Sequence, residues 1–203
     1  SPLHLATKFS TQEVVRIILD AYPQAAAGKD NDDWFPLHYA AYNENPEVVK
    51  FILDAHPQAA AGKDKYGQFP LHKAARYNSN PEVVKIILDA HPEAAAEKDN
   101  DGCLPLHYAA KWNKNPDVVK LILDAHPKSI VMKDNDGETP LDSAKKYFCK
   151  KDVIEVIESA LETYMDSAPK EFICPITQSI MKDPVMDEDG NTYERVAIEK
   201  WFE

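Results

Sequence analysis

The triplet Pro-Leu-His occurs at Pro2, Pro36, Pro70 and Pro105, at intervals of 34, 34 and 35 residues. A divergent copy, TPLDSA, begins at Thr139 and places Pro140 another 35 residues on. The second halves of the units agree as well: Glu13–Pro23, Glu47–Pro57, Glu82–Pro92 and Asp117–Pro127 read EVVRIILDAYP, EVVKFILDAHP, EVVKIILDAHP and DVVKLILDAHP. A unit this short cannot bury its own apolar face. Repeated at fixed period, it must stack on its neighbours and share one continuous core with them.

Local chemistry says what each unit folds into. Proline at the first position of a helix loses nothing by lacking an N–H, so each Pro-Leu-His starts a short helix. Asn45-Pro46, Asn80-Pro81 and Asn115-Pro116 supply N-cap and first position for a second helix. In that helix Val48, Phe51, Ile52 and Ala55 form one apolar face and Val49 and Leu53 widen it, while Lys50 and Asp54 mark an exposed strip. The runs Asp64 to Gly67, Asp99 to Gly102 and Asp134 to Gly137 have turn chemistry, with Asp33 standing where the glycine is expected. Aspartate tolerates a positive φ better than most residues, so the same turn is expected there. The last unit ends in KDVIEVIESALETYMDS, where Ile154, Ile157, Leu161 and Tyr164 recur at helical spacing.

A period of this length with a TPLH-x-A-like signature resembles the ankyrin repeat, and the resemblance covers roughly residues 1–165. It implies a mainly α fold, a solenoid of about five stacked helix pairs. The units lie near 1–29 (incomplete), 30–63, 64–98, 99–133 and 134–165. It also implies that His38, His72 and His107 make structural hydrogen bonds to neighbouring loops. Departures from the pattern are Phe35, Phe69 and Leu104 in place of threonine, an Asn-rich turn after the first helix, and Ala-(His/Tyr)-Pro after the second. These changes are expected to lengthen loops.

A second module follows a short linker at 166–168. Residues 169–203 carry Ile173-Cys174-Pro175-Ile176-Thr177, Met181, Asp183-Pro184-Val185, Gly190, Thr192-Tyr193-Glu194-Arg195, Ile198 and Trp201. This stretch resembles the N-terminal half of a U-box, the zinc-free relative of the RING domain of ubiquitin ligases and a small α+β module. A RING is organised by Cys and His ligands around zinc, and this segment has one cysteine and no histidine. Asp189-Gly190 suits a hairpin-like reversal, and Thr192 reads as the N-cap of a helix bearing Glu194 in its first turn and Ile198, Trp201 and Phe202 on one face. By resemblance, Ile173, Pro175, Ile176 and Trp201 would form the contact with a ubiquitin-conjugating enzyme. Starting at Ser1 inside a repeat and stopping at Glu203 inside the second module, the chain is expected to come from a longer protein.

The function implied is that of a substrate-recruiting ubiquitin ligase of the RING/U-box type, without a covalent intermediate. The alternative is a non-enzymatic ankyrin scaffold with an inert or incomplete U-box. In such a ligase the array holds a protein target, and the units here differ most at the finger tips and the outer end of the first helix. Trp34, Tyr39, Tyr42, Tyr66, Gln68, Lys73, Arg76, Tyr108, Lys111 and Trp112 give that region aromatic and basic character, the usual make-up of binding hot spots. A partly acidic partner surface is expected. Net charge of −11 and pI near 5.1 argue against nucleic acid or an anionic membrane as partner. No cofactor, metal or catalytic nucleophile is expected. Asp99 opens an EF-hand-like DND run, but loop positions six and twelve hold Leu104 and Ala110. Cys174 has no neighbouring base to lower its pKa. Three scattered cysteines suit a reducing cytoplasmic or nuclear setting.

Overall fold

The computed structural model describes residues 1–147 and 149–167, together with two short strands at 184–186 and 192–194. The first helices of the units are α1 (Pro2–Phe9), α3 (Pro36–Ala40), α5 (Pro70–Tyr77), α7 (Pro105–Trp112) and α9 (Pro140–Lys146); the second are α2 (Gln12–Ala21), α4 (Pro46–Ala55), α6 (Pro81–Ala90), α8 (Pro116–Ala125) and α10 (Lys151–Ser167). First helices pack on first helices, α1 to α3 and so on to α9, and α2, α4, α6 and α8 form a parallel row behind them. The expected linker therefore begins inside α10, whose last residues are Asp166 and Ser167. The chain divides into two compact units, Ser1–Glu158 and Ser159–Glu203. No helix among the described residues is long and apolar enough to cross a membrane.

Of the ten α-helices among the described residues, eight start at the proline that the sequence places there; α2 starts at Gln12 and α10 at Lys151. The Oδ1 atoms of Asn45, Asn80 and Asn115 accept hydrogen bonds from the N–H groups of Glu47, Glu82 and Asp117 at 3.0, 3.0 and 2.9 Å, which caps α4, α6 and α8. Behind these caps Val48, Val49 and Ile52 are fully buried, with their counterparts Val83, Val84, Ile87, Val118, Val119 and Ile122. Two residues of the expected apolar face leave it: Phe51 is half-buried and Ala55 exposed. Burial on α4 instead centres on the Val48–Val49–Ile52 stripe facing the adjacent repeats. Lys50 pairs with Glu47 at 2.7 Å and Glu82 at 3.6 Å, the second in the next unit, rather than with Asp54.

The segments after the second helices are more ordered than lengthened loops. Pro23–Ala27, Pro57–Ala61, Pro92–Ala96 and Pro127–Val131 each form a 3-10 turn. Ala59, Ala60, Ala94, Ala95 and Ile130 are buried there, so the small side chains let a tight helix close against the core.

Three sets of polar side chains recur from unit to unit, asparagines and histidines bonding across the boundary and aspartates within each finger. Asn43, Asn78 and Asn113 each donate two hydrogen bonds from Nδ2 into the preceding unit: to Thr7 O and Ser10 O, to Ala41 O and Asn43 O, and to Ala75 O and Asn78 O, at 2.8–3.2 Å. The carboxylates of Asp30, Asp64, Asp99 and Asp134 close the finger turns by accepting two backbone N–H bonds each. Asp33 has φ 62° where Gly67, Gly102 and Gly137 have 77°, 75° and 79°, as its position predicts. The third set is histidine. His38, His72 and His107 accept at Nδ1 from the N–H of Phe35, Phe69 and Leu104 at 3.0–3.1 Å. At Nε2 they donate across the repeat boundary to the carbonyls of Gln68, Cys103 and Glu138 at 3.1–3.3 Å.

In the second unit, β1 (Pro184–Met186) pairs antiparallel with β2 (Thr192–Glu194), Val185 opposite Tyr193. Thr192 and Glu194 are thus strand residues, not the cap and first turn of a helix; the reversal expected at Asp189-Gly190 lies outside the described residues.

Leu71 and Ile87 are each 1% exposed. Replacing either by alanine is expected to cost about 2–5 kcal/mol in urea unfolding, the range for large-to-small changes in a core; a neutral result would place the core elsewhere. Burial lowers the His38 pKa from 6.5 to about 4, and lowers those of His72 and His107. Between those limits the unfolded chain binds protons that the folded chain refuses. Stability is complete above pH 6.5 and falls as pH drops toward 4, by up to about 1.4 kcal/mol per pH unit for each histidine. His38→Gln should be less stable than the parent at pH 7 and lose less on going to pH 5. An unchanged slope would show that His38 is not buried neutral.

Candidate protein-binding site

The residues expected to form a binding face come from the finger turns and from α3, α5 and α7. The structure divides them into a buried platform and an exposed column. In the platform, Lys73 Nζ lies 2.9 Å from Asp64 Oδ2, with the two side chains 8% and 0% exposed. Lys73 also donates to Gln68 Oε1. Gln68 Nε2 reaches Asp99 Oδ2 at 2.7 Å and Tyr108 Oη at 2.6 Å, and the Tyr108 hydroxyl donates to Asp99 Oδ2 at 2.8 Å. Tyr39 donates to Asp30 Oδ2 at 2.7 Å in the same manner one unit earlier. Burial and the neighbouring carboxylate push the Tyr39 hydroxyl up to about 12 and raise Tyr108 too, so both stay protonated donors. Burial lowers the Lys73 pKa, and the Asp64 carboxylate opposes that shift.

Gln68 and Lys73, expected as direct target contacts, are therefore withdrawn from the surface. The sequence offset that suggested variation also fits a polar network linking three finger turns. Tyr39 and Tyr108 sit half-buried at its edge, and Trp34 leans on the platform, with Lys73 Nζ 4.2 Å from its ring and Tyr39 at 5.0 Å.

The exposed column runs along the C-terminal ends of the first helices, one ring per unit: Phe9, Tyr42, Tyr77, Trp112 and Tyr147. Tyr42 belongs here because α3 is short. Asn43 takes the Asn78 and Asn113 role seven residues after Pro36, where the others come eight after Pro70 and Pro105. Tyr42 consequently stacks on Tyr77 at 4.5 Å, and Trp112 meets Tyr147 at 5.5 Å. Cations fill the intervals. Lys8 lies 4.2 Å over Tyr42, Arg76 is 4.8 Å from Tyr77 and 5.2 Å from Trp112, and Lys111 is 3.5 Å over Tyr147. Phe9, Tyr77, Trp112 and Tyr147 are 74%, 45%, 43% and 39% exposed, against a core whose large side chains are nearly all below 2%. Of the residues expected on the face, Tyr42, Arg76, Lys111 and Trp112 join this column, and Tyr66 is exposed on its own finger. Phe9, Tyr77, Tyr147 and Lys8 were not anticipated; the period alone, read seven residues after Pro2, Pro70 and Pro140, would have found the three rings.

Beside the C-terminal part of the column is a groove of about 450 Å³. Arg76, Lys111, Trp112 and Tyr147 line it together with Asp101, Asp134, Asp136 and Glu138. The residues expected to contact a conjugating enzyme, Ile173, Pro175, Ile176 and Trp201, lie outside the described residues.

Comparison with known proteins agrees with this division. A family model for ankyrin repeats matches residues 1–61 and 71–164, a second ankyrin-repeat model matches 37–88, and a U-box domain model matches 168–203. The U-box end is similar to several curated proteins. It is 61% identical over 37 residues to the WD repeat, SAM and U-box domain-containing protein 1 of Danio rerio (18% of this chain, 8% of the relative). It is 52% identical over 44 residues to U-box domain-containing protein 44 of Arabidopsis thaliana (22% and 6%). It is 48% identical over 47 residues to E3 ubiquitin-protein ligase SPL11 of Oryza sativa subsp. japonica (23% and 7%). The chain thus spans less than a tenth of the length of these relatives. With its repeats matched over most of their length and its stacked helix pairs described above, the chain belongs to the ankyrin-repeat family and carries a U-box match at its C-terminal end.

Proposed function

We propose that this chain comes from a substrate-recruiting ubiquitin ligase in which the repeats, 1–165, hold a protein target and the U-box region, 169–203, docks a ubiquitin-conjugating enzyme. The observation that carries this reading is the union, in one chain, of a built repeat array bearing an exposed aromatic and cationic column with a U-box match at 168–203. A similar U-box in the rice relative belongs to a protein named as a ubiquitin ligase. A ligase of this kind needs no nucleophile. It holds the loaded conjugating enzyme beside its target, and the rate gain comes from proximity and orientation. Ile173, Pro175, Ile176 and Trp201 are the residues proposed to meet the conjugating enzyme, and the cytoplasm or nucleus is the setting proposed.

In a chain carrying a complete U-box, ubiquitin transfer is expected with activating enzyme, conjugating enzyme and ATP, and a chelator should leave it intact. Ile176→Ala should cut transfer about tenfold or more while the fold persists, because one apolar anchor at the centre of an interface is worth ~1–2 kcal/mol. Cys174→Ser should transfer normally; ubiquitin held as a thioester on Cys174 would overturn the mechanism. Absence of transfer with a broad panel of conjugating enzymes would favour the non-enzymatic scaffold.

The buried platform separates from the target face by a second measurement. Lys73→Met keeps the apolar stem and leaves the Asp64 carboxylate, 0% exposed, without its cation. It should cost about 3 kcal/mol or more in urea unfolding, whereas Lys111→Met at the surface should cost under about 0.5 kcal/mol. Similar small costs for both would mean that the Lys73–Asp64 pair is solvated.

A further inference from the structure

We propose that the column of rings and cations on the first helices is a linear docking track for an extended acidic peptide segment. This deepens the target-binding half of the reading above and rests on it. Three observations point to that occupant. First, none of the ion pairs among the described residues involves Lys8, Arg76 or Lys111. Ten of the nineteen lysines and arginines among the described residues have a carboxylate within 4.0 Å, as Lys50, Lys63, Lys65 and Lys85 do. These three are held by rings instead, at 4.2, 5.2 and 3.5 Å. A ring face fixes a cation in place but supplies no counter-charge. Each charge is therefore positioned and still available, and little side-chain freedom remains to be lost on binding.

Second, the rings form a row of two pairs, Tyr42 with Tyr77 and Trp112 with Tyr147, bridged by Arg76; Tyr42 is half-buried and the other three are exposed. An occupant must match the strip with apolar side chains as well as the cations with carboxylates. A peptide whose every second residue is acidic and apolar in turn does both, since residues i, i+2 and i+4 of an extended chain line one face and that face lies along the strip. Third, the groove beside the column is lined by Asp101, Asp134 and Asp136 as well as by Arg76, Lys111 and Trp112. A nucleic acid has a phosphate at every unit and would bring negative charge against those aspartates. A peptide can carry its carboxylates on the face toward the cations alone.

The test is fluorescence anisotropy on the 203-residue chain with three labelled probes: a peptide repeating Glu-Ser-Phe-Ser-Asp-Ser-Leu-Ser, its counterpart with lysine in place of glutamate and aspartate, and single-stranded oligo-dT of similar length. The acidic peptide should bind, and added salt should weaken it. Combining Lys8→Ala, Arg76→Ala and Lys111→Ala should weaken it about tenfold or more, as should Tyr77→Ala with Trp112→Ala. Tyr77 and Trp112 are exposed and the three cations lie part-exposed outside the core, so circular dichroism and thermal midpoint should match the parent. Should the triple variant melt early, Lys111→Glu alone gives the reading and should still weaken binding. The proposal fails if the acidic peptide does not bind, if the lysine peptide binds as well, if the oligonucleotide binds more tightly, or if the variants bind like the parent. Peptide binding without ubiquitin transfer by a chain with a complete U-box would keep the track and remove the ligase reading. Transfer without peptide binding would remove only the track.

Discussion

The array depends on a neutral imidazole that bonds in two directions. Each bridging histidine accepts the N–H at the start of its own helix and donates to a carbonyl of the next finger. Only the tautomer with its proton on Nε2 can do both, and burial keeps the ring uncharged. The acceptor is always a backbone oxygen: Trp34 for His4, Gln68 for His38, Cys103 for His72 and Glu138 for His107. The side chains at those four positions are free to differ, and they differ more than any others in the repeat. In the fifth unit Asp142 stands at the histidine position and accepts the Thr139 N–H at 2.9 Å. A carboxylate reproduces the acceptor half of the imidazole's work.

Much of this was legible in the residues. The Pro-Leu-His period located every first helix, Asn-Pro located three of the second, and the turn pattern placed Asp33 at a positive φ. What stayed hidden depended on neighbours a full unit away. Asn43, Asn78 and Asn113 read as turn residues, yet their amides cross the repeat boundary. The Pro-x-Ala-Ala runs read as longer loops and are 3-10 turns packed on the core. Gln68 and Lys73 read as surface because they vary between units, and only the approach of Asp64, Asp99 and Tyr108 shows them buried. In the second unit the Thr-Tyr-Glu segment carried a capping signal and a strand signal together, and pairing with Pro184–Met186 decided for the strand.

The same period organises both the inside and the outside of the array. A position repeated every 34 or 35 residues becomes a row when the units stack. The histidine row is sealed from water, while the aromatic row is left open to it. The one-residue shortening of α3 preserves the second row, because it carries Tyr42 back into line with Tyr77. The sealed platform of Asp64, Lys73, Gln68 and Asp99 lies just inside and gives the open row a rigid footing.

The bonds between units, from histidine, asparagine and finger backbone alike, join residues only about one repeat apart in sequence. Such a molecule has a direction of assembly available to it during synthesis. When a new unit emerges from the ribosome, the partner it requires has already been made, and nothing later in the chain is needed to complete the joint. Short-range closure of this kind favours fast, stepwise ordering over a search among distant segments. The repeats can thus be folded before residues 169–203 have been translated.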